Sequence, residues 1–470
     1  MNPRPARFPA ACFCIVLLAS FCAAQAPGSE KLFELPEYKR VQLPNGLTLI
    51  LLEKRALPMI SVEIGLRSGS VADPAGKEGT ASLTATLLRK GTASRSTEQI
   101  SADLDFIGME YDARVDQDAT RISADFLKKD LDTALPLLAD LLLHPAFPEA
   151  EMKKKVAQEQ DAIRSAKDDP RAVIRSYFLK FLFADHPYGR PPGGDERSLA
   201  NISRDDIAAF YRAHYTPANT VIAMVGDLEV AAIQAKVAEV FVSWKGKAPA
   251  DAAVPVFKPV TGKRVMLVDK PDATQTYFMI GNVGISSTNA DRGYINVVNT
   301  LFGGRFTSLF NTELRIKSGY SYGAYSFFDQ KRSPGPFIMS TFTKNATTGP
   351  ALAKSFEVLE TLHQKGFNTA ELTSAKTYIR GTLPPSFETS PQLARALAGL
   401  ELSGITRDQF NQNLAREQST GDTDAHRAIE TYFPDHDYVL VMIGKASEIR
   451  DIAGKYSDKV ILKKISDPGF

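Results

Sequence analysis

Two side chains in the second half of the 470-residue sequence, Arg315 and Tyr322, could bind a substrate or stabilise a reaction intermediate. Six residues separate them. A guanidinium presents a rigid fork of donors to a carbonyl, and a tyrosine hydroxyl can donate to a developing oxyanion. Periodicity alone favours a plainer alternative. In that alternative Arg315 is a solvated helix residue, and Tyr320, Tyr322 and Tyr325 pack together as an aromatic strand.

Histidines are too dispersed to form a local metal motif. The six histidines lie at positions 144, 186, 214, 363, 426 and 436, and no two are closer than ten residues. A helical zinc motif needs two histidines on one face, about one turn apart. Single histidines are more often satisfied core or surface groups, so we predict that this chain binds no metal.

The N-terminal 24 residues are predicted to be a secretory signal peptide. Arg4 and Arg7 precede an apolar run over residues 10–24, which is too short to span a bilayer and ends in small residues. We expect cleavage after Ala24. A lipid anchor on Cys22 is the second choice, because the bulky Phe21 precedes it. The three cysteines are Cys12, Cys14 and Cys22.

The composition places the remaining chain among exported globular proteins without disulfides. All three cysteines lie in the predicted signal, so the mature chain would contain none. The hydrophobic fraction of 44% and the charged fraction of 23% argue against a disordered or coiled-coil protein. A net charge of +2 gives no indication of nucleic-acid binding. No later stretch has the length and apolar character of a membrane-spanning helix. We expect the protein in the periplasm or secreted.

The sequence after the predicted signal peptide contains an internal repeat, with two similar halves. The apolar runs Thr220–Gly226 and Tyr438–Gly444 each follow a turn and precede a helical stretch, and their closing glycines are 218 positions apart. Residues 60–66 and Gln275–Val283 match in the same way near the start of each half. A repeat of this length indicates duplicated domains rather than a solenoid of short units.

These patterns predict an α+β fold of two tandem homologous domains. Each domain should be a mostly antiparallel sheet flanked by helices, and the two together should form half of a clamshell. The predicted segments are a signal peptide over 1–24, an N-terminal domain over 33–245, an exposed linker over 246–262 and a C-terminal domain over 263–470.

Several motifs in fixed order resemble the pitrilysin/insulinase family of zinc metallopeptidases, which includes the mitochondrial processing peptidase. The motifs are Leu-Pro-Asn-Gly-Leu over 43–47, His-Pro-Tyr-Gly over 186–189, Tyr-Thr-Pro-Ala-Asn over 215–219, and Phe-Gly-Gly-Arg over 302–305. The resemblance implies zinc held by a His-x-x-Glu-His motif on one helix and by a glutamate on a later helix. The central glutamate would polarise a bound water.

This sequence departs from the family at the metal site. The flanks of the motif stand at 79–81 and 91–92, but the two histidine positions carry Ser82 and Thr86, and the catalytic glutamate position carries Ala85. The downstream ligand position falls on Ala162, with Glu159 almost a full helical turn away. The resemblance therefore implies a degenerate zinc site.

The resemblance also implies roles for Arg315 and Tyr322, because the family grips its substrate with an Arg and a Tyr at this spacing. The leading hypothesis is a zinc-free subunit, inactive alone, that supplies these two residues in trans to a zinc-bearing homologous partner, with peptides as substrates. The first alternative is a non-enzymatic peptide-binding or scaffold protein that keeps the fold. An independently active metallopeptidase ranks last.

Overall fold

Twelve strands form two six-stranded sheets in the computed structural model, which describes residues 33–249 and 254–470. The predicted signal peptide lies outside the described residues. The first sheet contains β1 (Lys39–Gln42), β2 (Thr48–Glu53), β3 (Met59–Leu66), β4 (Glu110–Val115), β5 (Thr120–Leu127) and β6 (Thr220–Gly226). The second sheet contains β7 (Lys263–Asp269), β8 (Gln275–Val283), β9 (Ala324–Phe328), β10 (Pro336–Lys344), β11 (Tyr438–Gly444) and β12 (Val460–Lys464).

Helices connect the strands in both halves. In the first half they are α1 (Thr80–Leu87), α2 (Thr97–Phe106), α3 (Leu131–Leu143), α4 (Glu149–Ala166), α5 (Pro170–Phe183), α6 (Glu196–Ala200), α7 (Arg204–His214) and α8 (Val230–Val240). In the second half they are α9 (Arg292–Asn299), α10 (Leu309–Asn311), α11 (Thr348–Lys365), α12 (Thr369–Thr382), α13 (Ser390–Leu402), α14 (Arg407–Ser419), α15 (Asp422–Tyr432) and α16 (Ala446–Gly454). Among the described residues, no helix combines the length and the apolar character that a bilayer crossing requires.

Five of the six strands in each sheet share one topology. The strand order is β1-β2-β6-β3-β5-β4 in the first sheet and β12-β7-β11-β8-β10-β9 in the second. The matching sequence runs become β3 and β8, and β6 and β11, at equivalent positions. Most neighbours are antiparallel, and the parallel pairs are β2 with β6, β7 with β11 and β7 with β12. The predicted α+β fold of two similar, mostly antiparallel sheets with flanking helices is confirmed.

The halves differ at the outer edge beside β2 and β7. In the first sheet β1, the earliest strand, fills this position and runs antiparallel to β2. In the second sheet β12, the latest strand, fills it and runs parallel to β7. The outer edge position is therefore filled by the first strand of the described chain in one sheet and by its last strand in the other.

Each sheet is covered on one face by a helix from the other half. Helix α5 packs on β8 and β11 of the second sheet, and α13 packs on β3 and β6 of the first. Both helices start with a capped turn and an early proline. Asp169 accepts from the backbone N of Arg171 at 2.9 Å before Pro170, and the side chain of Thr389 caps α13.

Helices α5 and α13 are exchanged between the halves, and the central strands explain why. Strands β6 and β11 are buried at every residue. In β6, alternate residues Val221, Ala223 and Val225 face α13, and the residues between them face the core of their own half. In β11, Val439, Val441 and Ile443 lie with α5 in the same way. A strand with apolar residues on both faces needs a cover on each face.

Two glycines at equivalent positions allow the exchanged helices to approach closely. A Cβ added to Gly65 in β3 would lie 2.7 Å from a methyl carbon of Leu402 on α13. A Cβ added to Gly281 in β8 would lie 2.0 Å from the Phe337 carbonyl oxygen and 3.1 Å from the ring of Phe178 on α5. The first contact is with a movable side chain, whereas the second is with the backbone of the neighbouring strand.

The His-Pro-Tyr-Gly segment joins the halves through a buried tyrosine hydroxyl. The Tyr188 hydroxyl donates to Asp118 Oδ1 at 2.9 Å and accepts from the backbone N of Ser333 at 3.0 Å. Asp118 Oδ2 accepts from the backbone N of Arg332 at 2.8 Å, and burial raises the pKa of this carboxyl. The β4–β5 turn is thus tied to the β9–β10 loop of the other half.

The described parts of the predicted linker over 246–262, residues 246–249 and 254–262, are mostly exposed but are partly fixed to both halves. His186 Nε2 lies 2.7 Å from the carbonyl oxygen of Pro255. Further along, the backbone N and carbonyl oxygen of Val260 both pair with the Asn282 side chain at 2.9 Å. The predicted domain boundaries stay a prediction, but the halves touch directly and the linker is not their sole connection.

We expect Gly281→Ala to lower the free energy of unfolding by about 3 kcal/mol, because the added methyl group must displace strand backbone. Gly399→Ala, inside the exchanged helix α13, is the matched control. No atom lies within 4 Å of its added Cβ, so it should raise stability by about 0.5–1 kcal/mol. Urea titrations followed by circular dichroism measure both. Equal stability of the Gly281→Ala variant and the parent would contradict the close approach of the Phe337 carbonyl group in β10 to Gly281.

Candidate functional site

The helix that carries the degenerate metal positions is fixed at its start by a buried carboxylate. The two oxygens of Asp73 accept from the backbone N of Gly79 and of Ala81, each at 2.8 Å. Burial raises the pKa of Asp73 to about 7, and the two backbone donors oppose that shift. Gly79 has a φ of +101°, which suits a residue without a Cβ. Helix α1 is therefore positioned by backbone capping.

The three motif positions lie on α1 without any metal-binding group. Ser82 and Thr86 are half-buried on the same face, one turn apart. The Thr86 hydroxyl donates to the Ser82 carbonyl oxygen at 2.9 Å, within the helix. Ala85 is only 1% exposed and contributes a methyl group where a base would be required.

The fourth position lies on α4, which packs against α1. Ala162 is exposed, and the nearby Glu159 forms an ion pair with Lys155 on its own helix. Gln160 donates to the carbonyl oxygen of Glu196 at 2.9 Å, which ties α4 to α6. Asp161, next to Ala162 in the sequence, pairs with Arg164, so both carboxylates close to the expected ligand position are already engaged by cations of α4.

The donor set at these four positions does not fit a zinc ion. Two neutral hydroxyls and two methyl groups replace two imidazoles and two carboxylates, and neutral hydroxyls are not among the ligands that zinc prefers. Elsewhere in residues 33–249 and 254–470, no group of three or more His, Cys, Asp or Glu is placed to hold a metal.

The Arg-Tyr pair lies in a turn that is held tightly by its neighbours. Arg315 belongs to the π-helical turn Thr312–Lys317, anchored by the fully buried Leu314. The Leu314 carbonyl oxygen accepts from the backbone N of Tyr320 at 2.9 Å. The Thr343 hydroxyl, from β10, donates to the Tyr320 carbonyl oxygen at 2.7 Å. The loop that leads to β9 is therefore fixed through its backbone.

Tyr322 does not pack as part of an aromatic core. Its side chain is 77% exposed, although Ser321 and Gly323 on either side are buried. The Ser321 hydroxyl donates to the Gly323 carbonyl oxygen at 2.9 Å, so the backbone is ordered around a projecting ring. Tyr320 alone of the three tyrosines packs against the core of the second half. The alternative of a packed aromatic strand is wrong for Tyr322.

Arg315 and Tyr322 line the same cavity, which has a volume of about 500 Å³. None of the residues at the degenerate zinc positions lines it. The structure thus brings together the two residues singled out in the second half, and it leaves the four positions of the first half on the separate helix pair α1 and α4.

Two further residues belong to this site and were missed from the sequence. The Arg315 guanidinium lies over the ring of Phe306, 4.7 Å from the ring centroid. Lys344, the last residue of β10, lines the same cavity. Neither residue belongs to a motif that the sequence analysis used. Lys344 lies far from Arg315 in the sequence, and the pairing of β9 with β10 brings it to the same cavity.

We expect the mature chain to bind no stoichiometric zinc, and the triple variant Ser82→His, Ala85→Glu, Thr86→His to remain without a tightly bound ion. Three ligands are required of the protein, and Ala162 supplies none. Adding Ala162→Glu to the triple variant should allow one zinc per chain. Elemental analysis after dialysis measures this, and circular dichroism controls for folding. Stoichiometric zinc on the parent chain would contradict the prediction.

Family models match both halves. A model described as insulinase (peptidase family M16) matches residues 49–196, and a model described as peptidase M16 inactive domain matches residues 201–379. An uncharacterized zinc protease of Mycobacterium tuberculosis is 29% identical over 369 residues, covering 78% of this chain and 84% of the relative. The uncharacterized zinc protease YmxG of Bacillus subtilis is 25% identical, covering 75% and 85%.

Solved structures share the fold. A peptidase M16 inactive domain from Pseudomonas fluorescens superposes with a TM-score of 0.82 at 23% identity, covering 87% of this chain and 98% of that one. The periplasmic protease PqqL from Escherichia coli gives a TM-score of 0.74 at 16% identity, covering 91% of this chain but 51% of its own. The two family models together span more than two thirds of the sequence. The chain therefore belongs to the pitrilysin/insulinase family, peptidase family M16.

Proposed function

We propose that this chain is the non-zinc subunit of a heteromeric peptidase of its family. The observation that carries the proposal is an asymmetry. Arg315 and Tyr322 are kept together on one open cavity, whereas Ser82, Ala85 and Thr86 leave the first half without a metal site. The ordered loop also leaves the Tyr322 side chain exposed, where a substrate can reach its hydroxyl.

In the proposed complex the two residues of this chain act on the peptide bond. Arg315 binds a backbone carbonyl of the substrate through its planar fork. The Tyr322 hydroxyl donates to the oxyanion that forms when water attacks the scissile carbonyl. Zinc in the partner subunit would supply the activated water, and this chain itself would need no cofactor.

The surface beside the cavity supports contact with another protein. Phe306 and Ile316 are 55% and 61% exposed, and both lie close to Arg315. Exposed apolar side chains next to an arginine are typical of the centres of protein interfaces. A zinc-bearing homologue that covers this surface would bury the apolar side chains and enclose the peptide between the two subunits.

The comparison with PqqL supports a partner of similar size. This chain matches 51% of the PqqL chain while 91% of its own length is covered. The fold unit therefore also occurs within a chain about twice as long. We propose that the present chain reaches an equivalent size by association with a separate homologue, in the periplasm or outside the cell after removal of the signal peptide.

In the complex purified from the native host, Tyr322→Phe is expected to lower peptidase turnover by about 10²–10³-fold, because it removes one oxyanion donor. Arg315→Lys keeps the charge but loses the fork, and it should also lower activity. The measurement is hydrolysis of an unfolded peptide pool, with thermal melts and size-exclusion chromatography to confirm folding and assembly.

Tyr325→Phe is the matched control, because Tyr325 is half-exposed on the adjoining strand and does not line the cavity. It should retain full activity. If Tyr322→Phe and Arg315→Lys are both as active as the parent in an assembled complex, the pair is structural and the scaffold alternative replaces the proposed function.

A further inference from the structure

The cavity beside Tyr322 has a positively charged lining. Arg315 enters it from the π-helical turn and Lys344 from the end of β10. No aspartate or glutamate is among the residues that line it. Two cations that share one cavity without a carboxylate create a positive potential there.

Neither cation is neutralised elsewhere in residues 33–249 and 254–470. Glu313, the carboxylate closest to Arg315 in the sequence, is engaged by Lys317, with 2.7 Å between Nζ and Oε1. Arg315 instead rests on the face of Phe306, a contact that uses none of its N–H donors. Lys344 is exposed, and no described residue forms an ion pair or a hydrogen bond with its ammonium group. Both groups are available to a ligand.

Two uncharged side chains of the lining can also donate. Gln275 Oε1 accepts from the Tyr277 hydroxyl at 3.2 Å, and the amide group of Gln275 carries two N–H donors. The hydroxyl hydrogen of Thr343 is used by the Tyr320 carbonyl oxygen, so Thr343 offers the cavity an acceptor but no donor. With the two cations, Gln275 and the Tyr322 hydroxyl give the cavity donors of several kinds. An ionised carboxylate accepts only, and it therefore complements this lining.

We propose that the cavity receives the acidic side chain of a peptide substrate, Asp or Glu, beside the bond held by Arg315 and Tyr322, and that Lys344 selects it. The position relative to the scissile bond rests on the proposed function. The binding of a carboxylate rests on the lining alone. Lys344 is thus a specificity-determining residue, and Arg315 serves both backbone and side chain of the peptide.

Fluorescence polarisation of the mature chain with three labelled decapeptides tests the binding. Two amidated peptides differ only by Glu or Gln at the fifth position, and a third carries Gln with a free C-terminal carboxylate. The Glu peptide should bind about tenfold more tightly than either Gln peptide in 20 mM salt. The difference should shrink in 500 mM salt, where the Debye length falls to a few ångström. If the free C-terminal carboxylate gives the same gain as Glu, selection of a side chain is wrong.

Variants identify the responsible residue. Lys344→Gln should abolish the preference for Glu, whereas Lys344→Arg should keep it. Lys365→Gln, an exposed lysine at the end of α11, should leave it unchanged. Equal affinity for the Glu and Gln peptides in the parent chain, or a preference that survives Lys344→Gln, would overturn the proposal.

The complex separates this inference from the proposed function. A complex that cleaves the Glu peptide about tenfold more efficiently than the Gln peptide, with the preference lost in Lys344→Gln, supports both. A complex that cleaves both peptides equally keeps the function and refutes the selection. If the assembled complex cleaves neither peptide while the chain still prefers Glu in binding, the cavity is an acidic-peptide site on a non-catalytic protein.

Discussion

The structure depends on the need to cover both faces of each sheet. Strands β6 and β11 are buried at every position, but the helices of their own half cover only alternate residues. Helices α5 and α13 cover the other face, and each comes from the opposite half. Burial of apolar surface is favourable, so this exchange stabilises the association of the two halves.

Because the fold depends on covering the sheets, the residues at the metal-binding positions can be replaced while the fold is kept. Helix α1 is fixed by Asp73 at its start and by the burial of Ala85 in the core, and neither contact needs a metal ion. Ser82 and Thr86 satisfy their polar groups partly within the helix. The half-buried positions 82 and 86 are therefore less constrained by packing than position 85, whereas the loop bearing Tyr322 is tied to β10 and to the core through Leu314.

Sequence patterns predicted the parts that depend on local periodicity and on the internal repeat. The matching apolar runs Thr220–Gly226 and Tyr438–Gly444 are β6 and β11, because both have clear ends and are buried throughout. The exchange of α5 and α13 was not predicted, since an apolar helix does not reveal which surface it covers. Lys344 was missed for a related reason, because strand pairing alone brings it to the cavity.

The exchanged helices also set the order in which the molecule can fold. The first sheet has all its strands once Gly226 has been made, but α13 begins only at Ser390. During synthesis, the face formed by Val221, Ala223 and Val225 stays uncovered by α13 until more than four fifths of the chain has been made. Contacts so distant in sequence slow folding, and exposed apolar surfaces make folding intermediates prone to aggregation. Completion of the first half therefore waits for a helix near the other end of the described chain.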